Sequence, residues 1–170
     1  RNLLNVANQI VVFAVIAVGM TMVIITAGID LSVGSLVALS AVVASTLIVM
    51  VGGEAASNFE LFYCSLAAVA TCAAVGGFSG VMITTFKIPP FIATLGMMQV
   101  ASGLAFIIAG GQSIYRIPES FTWLGRDADL LSLPNAVILM GITYLVAHVV
   151  MSKTTLGRHI YAVGGNRQAA

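Results

Sequence analysis

The chain has 170 residues, of which 59% are hydrophobic and only 8% are charged, and its mean hydropathy is +1.07. A soluble domain normally has about a quarter of its residues charged, so this composition excludes a soluble fold and predicts an integral membrane protein. The net charge of +1, with no basic patch interleaved with aromatic residues, does not indicate nucleic-acid binding. The first apolar run has no basic leader and four similar runs follow it, which argues against a secretory signal peptide.

Charge-free apolar intervals indicate the membrane crossings, since helices packed in a bilayer are apolar on most faces. Five intervals come near the length of about 20 residues that a bilayer requires. We therefore predict an all-α, polytopic helical membrane protein with about five transmembrane helices, forming a single transmembrane domain over residues 1–170. The predicted spans are 8–27, 33–50, 61–85, 91–109 and 135–151.

The first connection contains Asp30, the only charged residue among residues 2–53. A carboxylate at the bilayer centre costs roughly +2.5 to +3.5 kcal/mol, so we expect Asp30 near the turn between two spans, or with hydrogen-bond partners. Gly28 and Gly34 permit bends and close approach, and Asp30 or Ser32 can cap the following helix. Transporters use such breaks for gating or substrate contact.

The third span is rich in small residues and includes a Gly76-to-Gly80 small-xxx-small step. Lipid gives no hydrophobic drive for helix association, so this pattern predicts a helix that is buried against its neighbours. Cys64 and Cys72 lie eight residues apart in the same span, beyond disulfide reach within one helix, and we expect both to be small core residues.

The fourth span begins after a proline pair and contains Thr94, Gln99 and Ser102. The Gln99 amide either hydrogen-bonds a neighbouring helix or lines a polar path. No cluster of Cys, His and carboxylate has metal-ligand spacing, so no metal site is predicted.

The connection 110–134 is long for a simple loop. Its Tyr115 and Trp123 are either interfacial anchors or part of a docking surface for an external partner. His148, near the end of the fifth span, is a packed or interfacial histidine or, as the less favoured alternative, a proton relay.

The polar tail contains Thr154 or Thr155 as a possible cap for a short helix, with Gly164 and Gly165 as its end and a second helical start at Asn166. Such a basic amphipathic helix either lies on the membrane surface or is a handle for a soluble subunit. The positive-inside rule places this tail in the cytoplasm, because most basic residues fall on its side of the membrane. These residues are Lys87, Lys153, Arg158 and Arg167.

Three separated motifs resemble the permease subunit of bacterial ribose and simple-sugar ABC importers. They are VGMTMVIITAGIDLSVGS at residues 18–35, IPPFIATLGM at 88–97, and LGRHIYAVGGN at 156–166 with Ala169 and Ala170 after it. Because they occur in the right order over nearly the whole chain, they are more specific than any single glycine pattern.

The resemblance implies a multi-pass protein of the bacterial inner membrane that imports a monosaccharide such as ribose. It also implies a homologous second half beyond Ala170. We expect the chain to be a fragment, because it begins at Arg1 rather than Met and stops abruptly at Ala169 and Ala170. The implied partners are a second permease subunit (identical or related), a periplasmic solute-binding protein and a cytoplasmic ATP-binding subunit. The chain has no Gly-x-x-x-x-Gly-Lys-Ser/Thr sequence, so ATP and Mg are expected in that subunit and this chain is expected to be neither an enzyme nor a cofactor binder.

The resemblance also implies roles for individual residues, with residues 152–170 as a cytoplasmic coupling segment. A signature turn beside the pathway comprises Asp30, Ser32, Gly34 and Ser35. A polyol needs hydroxyl and amide partners, which Thr94, Gln99 and Ser102 could supply as a substrate path. The element that engages the ATPase comprises Leu156, Gly157, Arg158, Tyr161, Gly164, Gly165 and Asn166.

Three alternatives remain open. The solute could be a branched-chain amino acid or a nucleoside, since related importers share broad architecture. The chain could instead be an ATP-independent channel or a membrane scaffold, in which case solute flux would not depend on ATP. A membrane enzyme ranks third, because no nucleophile-base pair is visible.

Overall fold

The computed structural model describes residues 2–126 and 133–166, with side chains from residue 6 onward. The described residues form seven α-helices and a short 3-10 turn at Gly53–Ala55. Helices α1 to α4 and α6 are long and apolar enough to cross a membrane, which confirms the all-α, polytopic membrane fold with five spans. The helices are α1 (Asn2–Ile25), α2 (Val33–Val51), α3 (Asn58–Thr85), α4 (Pro90–Ile108), α5 (Glu119–Arg126), α6 (Asn135–Lys153) and α7 (Thr155–Gly165).

The predicted connection 110–134 is wrong in part, since it contains α5, an eight-residue amphipathic helix that a search for charge-free intervals cannot detect. Predicted helix ends also differ from the observed ones, and the largest difference is at α1, which begins at Asn2 where the prediction began at residue 8. Helix α3 begins three residues before the predicted span because Ser57 and Glu60 form a capping box. The Ser57 backbone N–H donates to the Glu60 carboxylate over 2.7 Å, and the Glu60 N–H donates to Ser57 Oγ over 3.4 Å.

One compact unit comprises Arg1–Ile29 and Thr122–Ala170. In it, α1 packs against both α6 and α7. The Tyr144 hydroxyl of α6 donates a 3.3 Å hydrogen bond to the Ala14 carbonyl of α1. The Asn8 amide donates to the carbonyl of Gly125 over 3.4 Å. These polar contacts join helices that the hydrophobic effect alone does not hold together in lipid.

The second compact unit is Asp30–Phe121, in which α2 packs against both α3 and α4. Leu39 and Ile48 of α2 are almost completely buried. Leu39 packs with two alanines of α4, Ala101 and Ala105, whose small side chains allow the helices to approach closely. Around Ile48 a second cluster contains Ala56, Leu61 and Cys64. The single-domain prediction stays a prediction.

Helix α3 packs through one face only. Both cysteines are free, as expected; Cys64 is buried, and the half-buried Cys72 thiol donates to the Leu36 carbonyl over 3.3 Å. Gly76 and Gly80, by contrast, have no described atom within 4 Å of the point where a Cβ would lie. The expected packing of this glycine step is therefore wrong for the described residues, because the buried side chains of α3 follow a neighbouring stripe. That stripe is Leu61, Cys64, Ala68 and Ser79.

Candidate functional site

Helix α1 ends in a Schellman motif just before the signature turn. The Ala27 N–H donates to the Ile24 carbonyl over 2.9 Å, and the Gly28 N–H donates to the Val23 carbonyl over 3.0 Å. The left-handed residue of this motif is Ala27, with φ of 58°, rather than a glycine. Gly28 is instead a site of close approach, since a Cβ there would lie 3.0 Å from Val23 Cγ1.

The Asp30 carboxylate caps the start of α2. Its Oδ1 accepts hydrogen bonds from the Ser32 backbone N–H over 2.8 Å and from the Ser32 hydroxyl over 2.6 Å. Negative charge at this position also complements the helix dipole. Of the two predicted caps, Asp30 is therefore the one that accepts, while the Ser32 side chain makes no cap hydrogen bond to α2.

The serines of the signature turn are buried. Ser32 is only 2% exposed, and the buried Ser35 hydroxyl donates to the Ser32 carbonyl over 2.8 Å. Asp30, Ser32 and Ser35 thus form one chain of hydrogen bonds, which satisfies polar groups that would be costly to leave unpaired in lipid. At Gly34 no described atom lies within 4 Å of the point where a Cβ would lie, so the expected close approach is absent there.

Thr154 caps the tail helix α7. Its Oγ1 accepts from the Gly157 N–H over 3.4 Å, and its hydroxyl donates to the Val150 carbonyl of α6 over 2.7 Å. One threonine therefore ends α6 and begins α7. Thr154, not Thr155, is the cap. The expected second helix after Asn166 lies outside the described residues, as do Arg167, Ala169 and Ala170 of the coupling segment.

One face of α7 contains two glycines that contact other helices of the same unit. Gly157 and Gly164 are seven residues apart and so lie on the same side of the helix. A methyl group at the buried Gly157 would overlap the Met151 carbonyl of α6. A methyl group at Gly164 would overlap the Ile25 carbonyl at the end of α1 and lie 3.1 Å from Ile25 Cγ2.

Most other residues of α7 are exposed. Leu156 is 58% exposed, and Arg158, Gly165 and Asn166 are exposed as well; we call these four residues the open side of α7. Tyr161 is 55% exposed but lies one turn from Gly157, on the side of the glycines. Of the seven predicted coupling residues, Gly157 is buried, Gly164 is exposed but contacts Ile25 along its Cβ direction, and the other five are exposed. An exposed leucine and an exposed arginine on the same short helix are side chains suited to contacts with a protein partner.

A pocket of about 220 Å³ lies between α1, α6 and α7. Its lining is largely apolar, so it suits a small apolar group better than a charged one. His148 contributes to this lining next to two tyrosines, a setting consistent with the packed or interfacial alternative. The lining residues are Val18, Thr21, Met22, Ile25, Tyr144, Ala147, His148, Met151 and Tyr161.

The three candidate path residues on α4 do not share one face. Thr94 is 4% exposed and its hydroxyl donates to the Pro90 carbonyl over 2.8 Å. It lies on the same side as Ala101 and Ala105, which pack inside the unit. Gln99 and Ser102 are exposed and, three residues apart, are neighbours on the helix surface. The structure brings this pair together and leaves Thr94 apart from it.

Sequence reasoning missed two features. A left-handed residue at a helix end is usually glycine, and Ala27 is not. Its role at the end of α1 is therefore shown only by the backbone conformation in the structure. The contact between Gly164 and Ile25 joins residues that are remote in sequence. The seven-residue spacing of Gly157 and Gly164 could have indicated a close-packed face, but not the helix that it meets.

Comparisons with known proteins extend over the whole chain. Residues 2–170 match the family described as "Branched-chain amino acid transport system / permease component". The ribose import permease protein RbsC of Escherichia coli (strain K12) is 40% identical over 173 residues, which cover 99% of this chain and 51% of that protein. No solved structure shows significant similarity.

Two further relatives are named for sugars other than ribose. The galactofuranose transporter permease protein YtfT of Escherichia coli (strain K12) is 36% identical, over 98% of this chain and 47% of its own length. The L-arabinose ABC transporter permease protein AraH of Azospirillum brasilense is 36% identical, over 100% of this chain and 48% of its own length. The chain thus spans about half the length of the curated relatives it matches.

Proposed function

The chain belongs to the family of branched-chain amino acid transport system permease components, and from that premise we propose that it is part of the permease subunit of an ATP-driven monosaccharide importer. The observation that carries the proposal is the similarity over nearly the whole chain to permeases named for ribose, galactofuranose and arabinose. That similarity includes both the Asp30 turn and α7. The multi-pass membrane fold agrees with it.

The proposed partners follow from the same premise. They are a cytoplasmic ATP-binding subunit that holds ATP and Mg, a periplasmic solute-binding protein, and a second permease subunit. In this arrangement the protein lies in the bacterial inner membrane with residues 152–170 in the cytoplasm. The proposal assigns ATP hydrolysis to the partner and passage of the solute to the permease.

The accessible side of α7 is the proposed surface for the ATP-binding subunit. A short amphipathic helix seats its apolar side chains in a groove of a partner, and a flanking positive charge fixes the orientation. Leu156 provides the exposed apolar side chain and Arg158 the charge. Gly165 and Asn166 continue this surface to the end of the helix, where Asn166 adopts an extended conformation.

The proposed solute path uses Gln99 and Ser102. A neutral sugar is recognised by hydroxyl and amide groups that exchange hydrogen bonds with it, and these two side chains offer both on one exposed patch of α4. Thr94 supports the packing of α4 instead, since its hydroxyl is buried and bonded within the helix. ATP-driven alternation between two helix arrangements would then open this path to each side in turn.

The family description favours a second candidate, an importer of branched-chain amino acids. An amino acid brings a carboxylate and an ammonium group, which call for helix termini or charges along the path. The exposed patch of α4 offers neither, because Gln99 and Ser102 are neutral and lie within the helix. The sugar therefore remains the better-supported solute.

Uptake by the full-length complex tests the proposal. The permease, its ATP-binding subunit and its solute-binding protein are reconstituted in proteoliposomes and offered labelled pentoses, hexoses and branched-chain amino acids. We expect uptake of a monosaccharide that requires both ATP and the binding protein. Selective uptake of an amino acid would contradict the sugar assignment, and uptake without ATP would contradict the importer.

A further inference from the structure

Gly164 lies against a carbonyl that has no partner within its own helix. Ile25 is the last residue of α1, and the last carbonyls of any helix lack intrahelical donors. The Schellman bonds of Ala27 and Gly28 use the Ile24 and Val23 carbonyls, which leaves the Ile25 carbonyl to point outward. The α carbon of Gly164 meets it there, in the manner of the Cα–H to carbonyl contacts that form where helices approach closely.

Helix α7 is held at its other end as well. Thr154 bonds both to α6 and to the first turn of α7, and Gly157 lies directly against the Met151 carbonyl. The first turn of α7 is thus joined to α6 and its last turn to α1. Because both ends of α7 are fixed to other helices, a force applied to its open side displaces the helix as a rigid body and does not bend it.

We infer that Gly164 is a positioning residue of the transport cycle, which seats α7 on the end of α1 so that the two helices move together. The inference rests on the proposed function, in which the open side of α7 contacts the ATP-binding subunit. We call the contact between Gly164 and Ile25 the joint. Through this joint, a displacement of α7 moves the C-terminal turn of α1. Ile25 precedes Asp30 by five residues in the sequence, so along the chain the joint comes shortly before the signature turn.

Gly141 of α6 provides a matched control within the same compact unit. Like Gly164 it lies in a helix, it has the same weak helix propensity, and no described atom lies within 4 Å of its Cβ direction. Replacement of either glycine by alanine therefore changes the intrinsic helix stability in the same direction. Only Gly164→Ala places a methyl group against Ile25.

The test compares Gly164→Ala and Gly141→Ala in the full-length permease, reconstituted with its ATP-binding and solute-binding subunits. Overpacking of a tight contact commonly shifts an equilibrium by about tenfold or more, so we expect Gly164→Ala to lower uptake per ATP hydrolysed by about that factor. ATPase binding and hydrolysis should persist because the open side of α7 is unchanged. Gly141→Ala should match the wild type within about twofold. Equal uptake per ATP in the two variants would overturn the inference.

A distance measurement keeps the inference testable if Gly164→Ala does not fold. Spin labels are attached to cysteines at Ile24 and Ala162, both exposed, in a chain with Cys64→Ala and Cys72→Ala. We expect the label-to-label distance to be the same without nucleotide and after trapping with ATP and vanadate. A distance that changes between these states would show that α7 moves independently of α1 and would overturn the inference. Failure of the proposed function is distinct from both results, since it appears as absent ATP-dependent uptake in the wild type.

Discussion

Replacement of Asp30 tests whether its carboxylate holds the start of α2. Asp30→Ala removes the oxygen that accepts from the Ser32 N–H over 2.8 Å and from the Ser32 hydroxyl over 2.6 Å. Loss of a helix cap costs about 1 to 2 kcal/mol, and loss of the second bond, from a buried hydroxyl, adds about 1 kcal/mol. We therefore expect Asp30→Ala to lower the free energy of unfolding by about 2 to 3 kcal/mol.

Asp30→Asn tests the contribution of the hydrogen bonds separately from that of the negative charge. The amide oxygen can still accept from Ser32, so this variant loses only the charge contribution and the helix-dipole term, about 1 kcal/mol in total. Glu54→Ala is the control, because Glu54 is an exposed carboxylate in the 3-10 turn and its removal should cost no more than about 0.5 kcal/mol.

The assay is reversible unfolding of the purified full-length permease by titration of sodium dodecyl sulfate into mixed micelles. The expected order of stability is wild type and Glu54→Ala highest, Asp30→Asn lower, and Asp30→Ala lowest. If Asp30→Ala were as stable as the Glu54 control, or if Asp30→Asn were as damaging as Asp30→Ala, the hydrogen-bond account of the turn would be refuted.

Three further predictions concern single residues. Ala27→Gly should raise the free energy of unfolding by about 0.5 to 1 kcal/mol in the same titration, since glycine adopts the left-handed conformation without strain; a loss of stability would contradict the Schellman assignment. Arg158→Glu should lower ATP-dependent uptake by about tenfold or more by reversing the charge presented to the ATPase, with unfolding unchanged; wild-type uptake would remove Arg158 from the interface. Gln99→Ala should slow transport by about threefold to tenfold through the loss of one hydrogen bond to the sugar, whereas Val100→Ala, at an exposed apolar neighbour, should not; equal rates in the two variants would take Gln99 out of the path.

The membrane fold could be predicted because the bilayer imposes a length and a composition on every span. Each of the five long helices overlaps its charge-free interval, and the errors lie at the ends, where polar caps such as Ser57 and Glu60 extend a helix beyond its apolar part. Helix α5 could not be predicted in this way because an eight-residue amphipathic helix satisfies no length or composition rule.

The candidate site was predictable in its residues but not in its geometry. The spacing of Asp30 and Ser32 indicated a cap, and the structure shows which of the two accepts. Nothing in the sequence shows that Gly164 meets Ile25, because that contact depends on how α7 folds back after Thr154. The resemblance implies one role for each motif as a whole. The structure, by contrast, divides the motif of α7 into a packed side and an open side.

Cross-linking from α7 to the ATP-binding subunit tests the central claim most directly. A photoreactive phenylalanine analogue replaces Leu156 on the open side of α7, and in a parallel sample it replaces Leu145, which is 64% exposed in the middle of α6. We predict that illumination of the assembled complex joins the ATP-binding subunit to the permease labelled at Leu156 and not to the one labelled at Leu145. Absence of the Leu156 product, or equal cross-linking from both positions, would contradict the account.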